Sequence, residues 1–161
     1  MNLKTILVPL DGSTVAEAAL VPAVALAREA GTQLVLVRAA EVRTLPLGDP
    51  IEDQTEVMRE AQEYLAAARA RVMAAGALDV EFSVWYGPAV EAIVEAARFR
   101  AADLIVMSSH GRSGVARLMM GSVTERVLRG TSVPILVIRP DGAPLDTLFR
   151  GASSAKEVSH A

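Results

Sequence analysis

The sequence predicts an α/β fold: a single five-stranded parallel sheet, doubly wound and Rossmann-like, with helices on both faces and strand order 3-2-1-4-5. Three observations carry this expectation. Short apolar runs rich in Val, Ile and Leu recur at residues 5–10, 33–37, 80–85, 104–107 and 134–138. Most are continuous rather than alternating, as in strands buried on both faces. Segments with apolar residues at helical spacing lie between them, and right-handed crossovers then wind the strands into one open sheet.

Each element follows from local chemistry. Residues 5–10 form the first strand, and Asp11, Gly12, Ser13 and Thr14 make a turn in which Ser13 or Thr14 can cap a helix, with Glu17 three or four residues on. Residues 16–30 read as a helix kinked at Pro22 and ended by Gly31. After the strand at 33–37, two prolines and a glycine mark 43–50 as a loop, and 51–75 as a long helix closed by Gly76. Residues 80–85 alternate as a strand, and Gly87-Pro88 opens a helix over 89–100. The strand at 104–107 is followed by a glycine loop, a helix over 122–129 stopped by Gly130, and a last strand at 134–138. The domain spans residues 1–140, and 141–161 read as a loose polar tail.

Composition excludes several function classes. Of 161 residues, 52% are apolar and only 4% aromatic, so one large aliphatic core is expected. A net charge of −3 argues against general nucleic-acid binding, which needs a basic face. Without cysteine there is no disulfide, thiolate zinc site or thiol nucleophile, and His110 and His160 are too few for a histidine metal cluster. No leader pattern and no membrane-length apolar run is readable, so the expectation is a cytoplasmic protein.

The chemistry concentrates in residues 106–125. A buried strand runs into small residues and glycines, Ser108, Gly111 and Gly114, and a further glycine, Gly121, precedes a helix. Backbone N–H groups at such a strand end, beside the positive end of a helix dipole, suit a phosphate. The pattern Ser122-Val-Thr-Glu125 also fits a capping box, in which Ser122 only satisfies helix N–H groups. Gly121 favours the phosphate, because close ligand approach requires glycine and a cap does not. Arg112 and Arg117 add positive charge, whereas Gly111 and Gly114 also fit ordinary turns. His110 fits a loop or interface role better than a general base, since no serine–acid pairing is readable. With order 3-2-1-4-5, winding reverses between strands one and four, which places Asp11 and residues 108–114 on one rim. Neither a Walker P-loop nor a dinucleotide fingerprint occurs, and the only lysines are Lys4 and Lys156, so the cradle lacks phosphoryl-transfer machinery.

At these residues the chain resembles the universal stress protein family in its ATP-binding branch. That branch carries G-x2-G-x9-G-[ST] after strand four, matched here by Ser108, Gly111, Gly121 and Ser122, with Ser108 in place of the first glycine. Residues 6–13 and 132–138 match as well, and Arg38 stands where the family often has His. The resemblance implies that Pro9 and Asp11 flank adenine and ribose, and that Ala39 meets adenine through its backbone. It implies that Met107, Ser108, Gly111, Arg112 and Gly114 hold ribose and phosphates, and that Gly121, Ser122, Val123 and Thr124 hold the outer phosphates. Mg2+ would accompany ATP. The function implied is a stress-response or regulatory module with little or no hydrolysis. The other readings are an interaction protein with an empty, AMP-bound or cyclic-AMP-bound site, and a slow ATPase. The uncharged last strand, residues 133–138, is an edge suited to homodimer pairing.

Overall fold

The computed structural model describes residues 3–41, 50–109 and 121–139, with backbone alone at 50–53. The elements are β1 (Thr5–Pro9), α1 (Thr14–Glu17), α2 (Leu20–Ala30), β2 (Gln33–Ala40), α3 (Pro50–Ala74), β3 (Val80–Tyr86), α4 (Ala89–Phe99), β4 (Leu104–Ser108), α5 (Ser122–Gly130) and β5 (Ile135–Ile138). The strands form one parallel sheet in the order β3-β2-β1-β4-β5, as the sequence predicts. The tail at 141–161 lies outside the described residues.

Alternation along each strand divides the core between two helical layers. Ile6 and Val8 of β1, with Leu34 and Leu36 of β2, pack under α1, α2 and α3. Leu7, Val35 and Val37 face the other way, under Ile93, Ala96 and Ala97 of α4 and Val127 of α5. Each fully buried aliphatic side chain of this kind contributes about 1.5–3 kcal/mol. The few aromatics are not missed, because small helix residues let the layers approach closely: Ala19 and Ala23 are fully buried against the sheet.

Two elements differ from expectation. The segment 16–30 is two helices, broken at Ala18 and Ala19, and not one helix kinked at Pro22. Pro22 lacks an N–H for the carbonyl four residues back, that of Ala18, and its ring crowds that carbonyl. The interruption therefore falls one turn before the proline, and α1 is left as a separate single turn. β2 runs three residues past the expected end, because its register with β3 continues through Arg38↔Val84, Ala39↔Trp85 and Ala40↔Tyr86. Gly31 ends α2 as expected, at φ 63°, a left-handed conformation that favours glycine. Gly130 is the last residue of α5 rather than the residue after it.

The two rims of the sheet are finished differently. At the amino-terminal rim, Asp103 Oδ2 accepts from the N–H groups of Lys4 at 2.7 Å and Thr5 at 3.0 Å. These bonds, that from Lys4 first, hold the Asp103 carboxyl below its ordinary range. Among the described residues the carboxyl-terminal rim has no equivalent at the start of α5, and the candidate site lies there.

Candidate functional site

Winding reverses between β1, which leads to helices on one face, and β4, which leads to α5 on the other. In open parallel sheets such a reversal leaves a crevice outside the carboxyl ends of the strands, where ligands bind. On the β1 side, buried Pro9 ends the strand and half-buried Asp11 follows. Asp11 Oδ1 accepts from Ser13 N–H at 2.9 Å and from the Ser13 hydroxyl at 2.6 Å. The Ser13 oxygen in turn accepts from Ala16 N–H at 3.1 Å and so caps α1. One hydroxyl thus ties the helix to the carboxylate, fixing where Asp11 sits.

On the β4 side the chain leaves at Ser109 and returns at Gly121. Gly121 N–H donates to the Ser109 carbonyl at 2.6 Å, and Ser109 N–H donates to the Ile138 carbonyl at 2.7 Å. The buried Thr124 hydroxyl donates to the Ser108 carbonyl at 2.9 Å. These bonds pin the start of α5 to the ends of β4 and β5.

The capping role open to Ser122 is not the one it takes. Gly121 is the N-cap, at φ −60° and ψ 148°, and among the described residues no side chain caps the helix. Ser122 is the first helical residue and is exposed. Glu125 reaches Arg129 at 2.7 Å instead of folding back on the cap. Gly121 N–H is already bonded to Ser109, so among the described residues the N–H groups left over at the helix start are those of Ser122, Val123 and Thr124. They lie at the positive end of the helix dipole, an arrangement that attracts an anion.

Pro9 and Asp11 thus stand at the carboxyl end of β1, and Ser108, Gly121, Ser122, Val123 and Thr124 at that of the adjacent parallel strand β4, on one rim of the sheet. Ala39 stands half-buried near the end of β2, one strand away. Met107 is 5% exposed and packs in the core under α4 and α5, so only its backbone reaches the rim. Thr124 likewise has only its N–H to offer, since its hydroxyl is engaged. His110, Gly111, Arg112, Gly114 and Arg117 lie outside the described residues. Replacing Thr124 with Val should cost about 1 kcal/mol of stability, the usual net value of one hydrogen bond. Denaturant unfolding measures this, and an unchanged midpoint would mean that the bond does not pin α5.

Sequence reasoning did not single out Tyr64 and Arg71 of α3, whose side chains both meet Glu17 of α1 beside this crevice. No spacing signal could have found them, because the partners lie 47 and 54 residues apart.

The profile of the Universal stress protein family matches residues 2–139. The chain belongs to the universal stress protein family. A universal stress protein of Thermus aquaticus is 35% identical over 137 residues, covering 84% of this chain and 98% of the relative. The solved structure of universal stress protein UspA from Lactobacillus plantarum superposes with a TM-score of 0.76 at 26% identity, covering 86% of this chain and 99% of that one. A universal stress protein in complex with cAMP gives 0.68 at 26% identity, over 86% and 99% of the two chains. The Archaeoglobus fulgidus protein in complex with dAMP gives 0.63 at 26% identity, over 86% and 100%.

Proposed function

We propose that this chain binds an adenine nucleotide, ATP with Mg2+ foremost, in the crevice between β1 and β4, and serves as a regulatory stress-response module of the cytoplasm. The observation that carries the reading is the start of α5. Three helix N–H groups and an exposed Ser122 hydroxyl stand at this end of the sheet, and among the described residues no side chain caps them, a donor set that fits a phosphate chain. Asp11, oriented by Ser13 on the opposite side of the crevice, fits a ribose hydroxyl. Two solved relatives carry an adenine nucleotide, cAMP in one and dAMP in the other. Among the described residues no group of three or more His, Asp or Glu could hold a metal ion. Mg2+ would therefore ride on the phosphates, with Asp11 as an acidic group at the end of β1. Also among the described residues, no helix is long and apolar enough to cross a membrane.

Titration calorimetry with ATP, AMP and cyclic AMP tests the reading and ranks the ligands. Tightest binding of a monophosphate would favour the AMP or cyclic-AMP reading over ATP, and no binding of any of the three would overturn the proposal. Mass spectrometry of the co-purified ligand gives an independent answer.

Hydrolysis should be slow or absent. Phosphoryl transfer depends on positioning and charge stabilisation. Lys4 sits at the opposite end of β1 from the crevice, and Lys156, the other lysine, belongs to the tail. ATP turnover should stay below roughly 1 per second, the low end of ordinary enzymes. Faster phosphate release from purified protein would reveal a catalytic group in the crevice. The proposal extends to a homodimer paired through β5.

A further inference from the structure

Behind the crevice, three segments meet at one side chain. Tyr64, in the middle of α3, donates its hydroxyl to Glu17 Oε1 at 2.8 Å. Arg71, two turns further along α3, reaches the same carboxylate oxygen at 2.5 Å. The Glu17 side chain is only 12% exposed, so it is a nearly buried carboxylate held by a phenol and a guanidinium. On the other side, the Arg38 guanidinium lies over the Tyr64 ring, 5.0 Å from its centre, as a cation on an aromatic face does. Tyr64 thus joins the end of β2, the single turn α1, and α3.

The need for such a joint follows from the length of α1. A four-residue helix is not stable alone, because the first turn costs more order than its hydrogen bonds return. Two contacts anchor it: buried Ala16 in the core, and Glu17 on α3. At its other end α1 carries Ser13, whose hydroxyl and N–H orient Asp11. A chain of bonds therefore runs from Tyr64 through Glu17, α1 and Ser13 to the Asp11 carboxylate. A second contact runs from Tyr64 through Arg38 to the neighbouring residue, Ala39. Burial, and after it the bond to Glu17, raises the Tyr64 phenol well above its ordinary value, so it stays a neutral donor at physiological pH.

We infer that Tyr64 is a positioning residue for the nucleoside half of the ligand: it touches Glu17 and Arg38, and through them sets Asp11 and Ala39 at the spacing that receives ribose and base. This rests on the nucleotide reading of the crevice. The phosphate half, at the start of α5, lies on the far side of β1 and is reached by neither chain.

The geography of the two halves supplies the test. Tyr64→Phe keeps the ring, its packing and the stacked Arg38, and removes only the bond to Glu17. It should weaken AMP binding about tenfold while tripolyphosphate, a probe for the α5 start alone, binds within about twofold of the unmodified protein. In an Asp11→Ala background the same substitution should change AMP affinity by less than about twofold, because the effect passes through Asp11. Equal losses for both ligands, undiminished loss without Asp11, or unchanged AMP affinity would each overturn the inference. Glu17→Ala cuts the same chain and decides by the same readouts if Tyr64→Phe does not fold. If the unmodified protein binds ATP but not AMP, ATP replaces AMP as the probe; if it binds none of ATP, AMP and cyclic AMP, the nucleotide reading fails, and amide exchange decides the bond chain alone. Faster exchange of Ser13 N–H in Tyr64→Phe upholds it, and unchanged exchange overturns it.

Discussion

Gly121→Val should weaken ATP binding at least about tenfold, or 1.4 kcal/mol, while leaving a folded protein. The backbone of Gly121 stands at φ −60° and ψ 148°, extended geometry that any L-residue adopts. Glycine is therefore not needed here for a left-handed turn, and valine meets no backbone strain. The Gly121 N–H would keep its bond to Ser109, and among the described residues there is no side-chain cap for valine to displace. What valine adds is a branched side chain at the mouth of the N–H groups of Ser122, Val123 and Thr124, in the path of a phosphate. Stability by denaturant unfolding and affinity by calorimetry separate the two effects. A folded variant with the affinity of the unmodified protein would show that the phosphates do not sit at the start of α5.

The contrast between Gly121 and Pro22 shows what the sequence discloses. Strand order was legible because continuous apolar runs mark strands buried on both faces, and right-handed crossovers leave few ways to arrange them. The rim followed from topology, since the reversal lies between β1 and β4 whatever the side chains do. Local exceptions were less legible. Pro22 announced an interruption, but its steric effect acts four residues back, so the break falls at Ala18 and Ala19. Ser122-Val-Thr-Glu125 satisfied the capping pattern, yet the extended backbone of Gly121 takes the N-cap position and moves Ser122 one place into the helix. The Tyr64–Glu17–Arg71 cluster had no local signature, because α1 and α3 lie far apart in the chain and meet only in the helical layer on one face of the sheet.

Lysine in place of Leu136 should raise the dimer dissociation constant by at least about a hundredfold, roughly 2.8 kcal/mol, if β5 pairs with β5 of a second copy. Among the described residues β5 is the last strand of the sheet, paired with β4, and its residues Ile135–Ile138 carry no charge or Pro to blunt the outer edge. Native proteins rarely leave such an edge open, and antiparallel pairing across a two-fold axis would close it. The faces of β5 decide which residue to change. Val137 stands opposite buried Met107 and shares the face of Ile135, so Val137→Lys would disturb the packing under α4 and α5 as well as any dimer. Leu136 points to the other face and is 37% exposed, so a lysine there costs the single chain little. Its ammonium would meet its counterpart near the two-fold axis, where like charges repel and desolvation is costly. Sedimentation at micromolar concentration should show a dimer for the unmodified protein and a folded monomer for Leu136→Lys. A monomeric unmodified protein, or a dimer that withstands the lysine, would remove β5 as the interface. If deleting residues 141–161 then turned that monomer into a dimer, the tail would be identified as the cover of the edge.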